Sequence, residues 1–410
     1  MKVLYLHQHF STPNGSIGIR SYWMSQHLIS RGHKVTIVCG SYSGADTGLV
    51  NNFVNGERRG HVDGIEIIEL NLAYSNSDLF LKRFLIFIKY ALKSLKIIFQ
   101  ERYDIIFATS TPLTAGIPGI FARWMKNKPF VFEVRDLWPE LPKEMGVITN
   151  PITLFSMSLL EKATYHSAHH LIALAPGISE GIIKKGINKE LVSLIPNGCD
   201  LNIFNNIADK WRPSNIDKTD FLALYAGTHG EANGLNNLLD VAKELKNRKR
   251  DDIKFLLIGQ GKLKDSLKEI AINSELDNVI FHDLIDKKKL ASLMSSTDIG
   301  LQILADCKAF YNGTSPNKFF DYLSAGLPVL NNYPGWLSNM INEYECGYAV
   351  PPNDPIAFAD ALEDAANNPS KLTLMGMNSS SLALKEFNRI DLAQKWVDIL
   401  ENVYLNRVKK

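Results

Sequence analysis

Phe221-Leu222-Ala223-Leu224-Tyr225-Ala226-Gly227-Thr228-His229-Gly230 is the stretch that decides the fold. Six apolar residues stop at a glycine-marked loop, and a helical pattern, Leu235 to Lys246, follows. Phe255 to Ile258, ending at Gly259, repeats the motif, and Val279 to Phe281, Asp298 to Ile303 and Pro328 to Asn331 continue it between further helical segments. Short apolar strands alternating with helices predict a parallel sheet wrapped on both faces.

The first half carries the same pattern. Val3 to Leu6, a helix over Ile19 to Arg31 and Val35 to Cys39 make one strand, helix, strand unit, and Asp104 to Thr109, Pro129 to Val134 and Leu171 to Leu174 extend it. A chain of 410 residues exceeds what one core organises, so two doubly wound α/β domains facing each other across a cleft are expected. The first is residues 1–200, completed by the last helix, 391–410; the second is 201–390. Pro196 to Asp220, rich in proline and asparagine, is the predicted linker.

Bulk properties exclude several classes of function. The chain is 45% apolar and 21% charged, as an ordinary globular protein is, and 45 Lys and Arg against 43 Asp and Glu give no global field to draw in nucleic acid. Cys39, Cys199, Cys307 and Cys346 are too scattered for a zinc site or a disulfide framework. Met1 to Phe10 is too short and polar for a secretory signal, and no apolar run reaches about 18 residues, so a cytoplasmic protein without a spanning segment is expected.

In open parallel sheets ligands lie beyond the carboxyl ends of the strands. Three such loops carry candidate residues. Asn14 to Arg20 brings Gly18 and Arg20 to a helix N-terminus suited to a diphosphate; a glycine-assisted turn is the plain alternative. Gly227-Thr228-His229-Gly230 is a second phosphate cradle. Neither loop is a full dinucleotide fingerprint, and Val35 to Cys39 ends in Gly40-Ser41 without an acid for a ribose, which removes the support for nicotinamide binding. Arg135-Asp136 ends a strand, where Arg135 can stabilise negative charge and Asp136 can orient or deprotonate a sugar hydroxyl; a salt-bridged loop is the alternative.

Ser315 to Val329 is the most informative segment. Lys318 and Asp321 lie three residues apart near a helix N-terminus, so the lysine can reach a diphosphate while the carboxylate accepts from ribose hydroxyls. On spacing alone a surface ion pair is the commoner explanation. His169-His170 lacks ligand spacing and gets no role, and Asn197-Gly198 reads as a turn. Leu79 to Phe99 places Lys82, Lys89, Lys93 and Lys96 within a sector of roughly 60°, amid apolar residues. That fits an amphipathic helix on an anionic membrane, or a core helix with one solvated face.

Together these landmarks resemble a retaining glycosyltransferase of family 4 with the GT-B fold. The branch is similar to bacterial L-fucosamine (N-acetyl-L-fucosamine) transferases of O-antigen and capsule assembly. The residues that carry the resemblance are Gly18-Ile19-Arg20 with Arg31 to Val35, Arg135 to Pro139, Ile195 to Asp200, and Asp321 to Val329. It implies two Rossmann-like domains, a metal-independent reaction with no cofactor, and a nucleotide held mainly by the second domain. Asp321 then takes the place of the ribose-binding glutamate, Lys318 holds diphosphate, Gly18 lies beside the phosphates, and Asp136 is the acid of a His-Asp element.

Four positions depart from the family pattern: that element's histidine is Arg135, the first glutamate of the pair falls at Gly313, and the usual phosphate-binding arginine and lysine correspond to Thr228 and Asn233. The implied reaction moves an N-acetylated hexosamine or 6-deoxyhexosamine from a UDP-sugar to a saccharide on undecaprenyl diphosphate. It takes place at the inner face of the plasma membrane, with peripheral contact to anionic lipid. Two other readings share the fold, a sugar-nucleotide 2-epimerase and a noncatalytic nucleotide-binding subunit.

Overall fold

The computed structural model describes residues 1–75, 78, 80–204, 207 and 209–408. Leu79 of the basic segment, Asn205, Asn206 and Ala208 of the predicted linker, and Lys409 and Lys410 of the last segment lie outside the described residues. The chain forms two compact units, one of residues 1–196 and 313–315 with the chain from 390 on, the other of residues 197–312 and 316–389.

The first unit is built on eight strands: β1 (Lys2–Leu6), β2 (Lys34–Tyr42), β3 (Glu57–Val62), β4 (Ile65–Tyr74), β5 (Ile105–Thr109), β6 (Phe130–Val134), β7 (His170–Ala173) and β8 (Val192–Leu194). Their order is β3-β4-β2-β1-β5-β6-β7-β8. All pairings are parallel except β3 with β4. That hairpin turns at Asp63-Gly64, with φ of 48° and 79°; two left-handed residues suit the tight turn that joins twisted antiparallel strands. β1 is followed in sequence by β2 on one side of it and later by β5 on the other, so the order reverses between β1 and β5.

Helix placement follows from strand order. The Phe80–Gln100, Gly116–Met125 and Pro151–Ser167 helices each carry the chain onward in one direction across the sheet, and right-handed crossovers put all three on one face. The Arg20–Ser30 helix moves the other way and lies on the opposite face. The last helix, Arg389–Val408, supplies fully buried Trp396, whose ring lies 4.7 Å from that of Phe107. Arg31 pairs with Asp398 at 2.5 Å and Glu401 at 2.6 Å, which fastens that helix to the first unit.

The second unit has β9 (Phe221–Ala226), β10 (Ile253–Ile258), β11 (Val279–His282), β12 (Ile299–Gln302), β13 (Val329–Asn331) and β14 (Gly347–Ala349). All are parallel, in the order β11-β10-β9-β12-β13-β14, so this sheet reverses between β9 and β12. Its core is continuous from Tyr225 and Phe255 to Leu301 and Phe358. Asn197-Gly198 is no simple turn. The Cys199 N–H donates to the Phe387 carbonyl at 2.7 Å, and the Arg389 N–H to the Cys199 carbonyl at 3.1 Å, which pairs the two stretches of chain at this unit's ends.

β9 and β12 pair over only two registered residues, Ala223 with Ile299 and Leu224 with Gly300. The fully buried phenol of Tyr322 fills the gap, donating toward the Leu224 carbonyl at 3.1 Å and accepting from the Ala226 N–H at 3.2 Å. Its ring lies flat against Gly300, where a Cβ would come within 2.4 Å of it. The tyrosine thereby clamps the Asn317–Ser324 helix over the reversal point. Gly300→Ala should therefore cost about 1–3 kcal/mol through forced repacking; a thermal melt that matches wild type would contradict this packing.

Candidate functional site

The reversal points give each sheet one crevice at the carboxyl ends of its strands, where doubly wound folds bind ligands. In the second unit the crevice is bounded by the loops after β9 and β10, and by the helix that Tyr322 clamps. Gly259, at φ +150°, lies so close to the Gly227 carbonyl that a Cβ would sit 1.8 Å from the oxygen. Gly261 packs likewise on His229, whose N–H donates to the Gln260 carbonyl at 3.0 Å. The two glycine loops thus lie backbone against backbone, with no room for a side chain at residue 259 or 261.

Lys318 enters that space one helical turn before Tyr322. Its ammonium lies 4.1 Å from the Tyr225 ring centroid and donates to the Tyr225 hydroxyl at 3.1 Å. A Cβ on Gly227 would meet the same ammonium at 3.1 Å. Burial lowers the Lys318 pKa to about 7, with no neighbouring carboxylate to oppose the shift. His229 is fully buried beside it, and neither ring nitrogen has a hydrogen-bond partner. Burial first, then Lys264 and Lys318, lower its pKa to about 4, so the ring is neutral. Thr228 is exposed at the loop tip.

Lys318 and Asp321 do not form the ion pair that their spacing allowed. Asp321 is buried and accepts from the Lys287 ammonium at 2.5 Å. Sequence spacing could not have found Lys287, 34 residues away.

The first unit's crevice lies at the ends of β1, β5 and β6, and its centre is a residue the sequence reading passed over. Glu133, fully buried on β6, accepts from Arg20 Nε at 3.0 Å and from the Thr109 hydroxyl at 2.8 Å, with Arg135 3.3 Å away. Burial alone would raise its pKa, but the two guanidinium groups outweigh it and hold the carboxyl below the usual value.

Arg20 therefore needs correction. Its guanidinium also donates to the Pro196 carbonyl at 2.6 Å and the Ile195 carbonyl at 2.9 Å, and the side chain is 5% exposed. It is the buried counter-ion of Glu133, and each of its three guanidinium nitrogens is already engaged inside the fold. Gly18 is exposed just before the same helix, whose first turn carries no acid.

Arg135 donates to the Thr109 hydroxyl at 2.7 Å, and Asp136 accepts from the Thr111 hydroxyl at 3.0 Å. Burial raises the Asp136 pKa against the pull of Thr111 and Arg135. Around them polar atoms lack partners: both side-chain atoms of buried Gln8, the Thr12 hydroxyl, His9 Nε2 and the Trp138 indole N–H. Burial lowers the His9 pKa to about 3, so this histidine too is neutral. Nearby, a cavity of about 470 Å³ opens past the ends of β2 and β4, lined by Tyr42, Phe53, Tyr74 and the Arg58–Glu69 pair.

The basic helix is resolved as Phe80–Gln100. Lys89 and Lys96 are exposed, Lys82 pairs with Asp78 at 2.6 Å, and Lys93 turns inward to the Gly56 carbonyl at 3.0 Å. Lys93 is thus a correction to the expected membrane stripe. Among the described residues no helix is long and apolar enough to cross a membrane.

Two family models match the chain: Glycosyltransferase Family 4 over residues 19–203, and Glycosyl transferases group 1 over residues 207–381. The chain is similar to the "Probable glycosyltransferase WbjE" of Pseudomonas aeruginosa, 24% identical over 271 residues that make up 64% of this chain and 66% of that protein, just under two thirds of its length. Among solved structures, sucrose-phosphate synthase from Thermosynechococcus elongatus superposes with a TM-score of 0.78 at 18% identity, over 99% of both chains. HepE of Anabaena in complex with UDP-glucose gives 0.67 at 17%, over 98% of this chain and 100% of that one. WaaG, a glycosyltransferase involved in lipopolysaccharide biosynthesis, gives 0.69 at 16%, over 97% and 99%.

The two buried charges make opposite predictions. Glu133→Ala leaves two guanidinium groups without their carboxylate and should destabilise the protein by about 3–5 kcal/mol. Lys318→Met removes a desolvated ammonium and should raise the melting temperature at pH 6 to 7, as a residue kept for function against stability does. Calorimetric melts of both variants check the pair; a lower melting temperature for Lys318→Met would contradict the account of that site.

Proposed function

The chain is a glycosyltransferase of the GT-B type, its two halves matched by the family 4 and group 1 models, and from that premise we propose that it transfers a sugar from a UDP-linked donor to a saccharide acceptor of a bacterial surface polysaccharide. The observation that carries the proposal is Lys318, an ammonium without a carboxylate partner, held against the Tyr225 ring and the Gly227 backbone at the reversal point of the second sheet. A diphosphate supplies the missing anion, and the backbone of the Gly227–Gly230 loop approaches it closely. Asp321, oriented by Lys287, accepts from the ribose hydroxyls. HepE, crystallised with UDP-glucose, and WaaG, which acts in lipopolysaccharide biosynthesis, support the donor class and the setting.

Transfer proceeds with retention of anomeric configuration and without a metal. Charge grows on the leaving diphosphate, Lys318 stabilises it, and the departing phosphate accepts the proton of the acceptor hydroxyl on the same face of the sugar. Asp136 and Arg135 belong to the acceptor side, where unpartnered neutral groups and the 470 Å³ cavity suit the hydroxyls and apolar faces of a saccharide. The sugar is an N-acetylated hexosamine or 6-deoxyhexosamine, in keeping with the L-fucosamine transferases that the sequence resembles. The acceptor is carried on undecaprenyl diphosphate, at the inner face of the plasma membrane.

A panel of nucleotide sugars, offered to the purified protein with and without a lipid-linked saccharide, tests the proposal. One UDP-sugar should be consumed only when acceptor is present, with turnover roughly 100-fold lower in Lys318→Ala. Conversion of a UDP-sugar without acceptor, or unchanged turnover in the variant, would contradict it. Binding has its own pH signature. Above about pH 7 free Lys318 is largely neutral, whereas a bound diphosphate favours the ammonium. Binding of UDP should take up a proton near pH 8 and weaken as pH rises from 7. Calorimetry in buffers of differing ionisation enthalpy reads this uptake, and pH-independent binding would contradict the role of Lys318.

A further inference from the structure

We infer that the outer face of the Pro369–Glu386 helix is a self-association surface, on which a second copy of this chain packs with its own helix antiparallel.

The Pro369–Glu386 helix belongs to the second unit, and its inner side is fixed by its sequence. Met375, Ser379, Leu382 and Ala383 are buried, at 9% exposure or less. Gly376 lets the backbones come close: a Cβ there would lie 2.6 Å from the Gly326 carbonyl oxygen. Through this side the helix packs on the Asn317–Ser324 helix, which carries Lys318.

The outer side lacks what a solvated helix face carries. Between Lys371 and Lys385 there is no charged residue, whereas a face that stays in water is normally charged and polar. Leu374, Met377 and Leu384 are 55%, 65% and 58% exposed, and half-buried Ser381 completes their stripe. The four follow one another at intervals of three, four and three residues, the rhythm of a coiled-coil seam. At about 100° per residue they span roughly 80° of the helix. Thr373 and Ser380, exposed along one flank, are short enough to let a second helix approach.

Spacing and charge name the occupant. Intervals of three, four and three read the same in reverse, so a two-fold axis across the helix sets every seam residue against another. Leu374 meets Leu384 of the second copy, and Met377 meets Ser381, a large side chain against a small one. On the other flank Asp364 holds Lys371 at 2.6 Å. The antiparallel arrangement brings Lys385 of the second copy to that level, with the Asp364 carboxylate there to receive it, and it also opposes the two helix dipoles. A parallel pairing would set like ends and like lysines together. A stripe without charge offers no counter-charge to a strongly acidic or basic partner. Asn378, between the two lysines on this flank, donates to the Glu345 carbonyl at 3.0 Å, and neighbouring Tyr344 adds a further apolar group, 39% exposed.

Sedimentation equilibrium of the full chain, without any nucleotide, tests the surface independently of catalysis. A seam about 15 Å long makes a small interface, so monomer and dimer should exchange with a dissociation constant on the order of 10 µM. The wild-type melting temperature should accordingly rise with protein concentration. Met377→Glu puts two carboxylates into the seam and should weaken the dimer at least roughly tenfold, while UDP binding and the melting temperature of dilute protein stay at wild-type values. Leu374→Cys and Leu384→Cys, mixed and oxidised, should join to each other in peptide mass spectra. Neither should join to itself, because the antiparallel seam sets those pairs about 15 Å apart, beyond the reach of a disulfide. The cysteine pair decides the matter should Met377→Glu fail to fold. Protein still monomeric at about 200 µM, roughly twenty times the expected constant, overturns the inference. So does a dimer that Met377→Glu leaves intact, or Leu374→Cys joined to itself.

Discussion

A buried ammonium without a carboxylate is the constraint around which the second unit is arranged. Lys318 does not settle this by local charge: its contacts are an aromatic ring and a phenol oxygen. Other cations nearby are satisfied. Lys264 donates to the Gly259 and His282 carbonyls and to Asp283, and Lys287 is paired with Asp321. What holds Lys318 in so unfavourable a place is geometry. Tyr322, one turn further along the helix, is bonded into the opening between β9 and β12 and fits there because residue 300 is glycine. Glycine at 227, 259 and 261 leaves no side chain at those points of the facing wall. Burial disfavours the charged form of Lys318 there.

The first unit resolves its charges in the opposite way. Glu133 draws both Arg20 and Arg135 to itself, and the arginines tie the helix after β1, the end of β6 and the carbonyls of residues 195 and 196 into one cluster. With the charges neutralised inside the fold, hydrogen-bonding capacity without net charge is left at the crevice: Gln8, Thr12, neutral His9 and the indole of Trp138. One crevice is short of an anion and the other is short of neutral partners. On the proposed reading, that division matches a phosphate-bearing donor at the second unit and a hydroxyl-bearing acceptor at the first.

The long apolar runs and glycine loops made most of this fold legible in the sequence. β9 begins and ends where the pattern of Phe221 to Ala226 put it, and the last helix returns to the first sheet through Trp396. The β3–β4 hairpin was missed although Asp63-Gly64 is a tight-turn signal. β3 alternates exposed with half-buried residues and lacks the apolar run on which the other strands were recognised. The site was legible where partners are close in sequence and obscure where they are not. Lys318 stands out beside a helix start. Glu133 reads as one polar residue in an apolar strand, and nothing local marks it as the partner of Arg20, 113 residues away. For the same reason an arginine after a glycine turn was assigned to phosphate when a buried carboxylate already held it.

The structure of the protein crystallised with UDP tests the central claim most directly. The account predicts diphosphate oxygens within about 3 Å of the Lys318 ammonium, beside the Gly227–Gly230 loop, with the ribose toward Asp321. Density for the diphosphate away from Lys318, or at the Arg20 end of the first sheet, would contradict it.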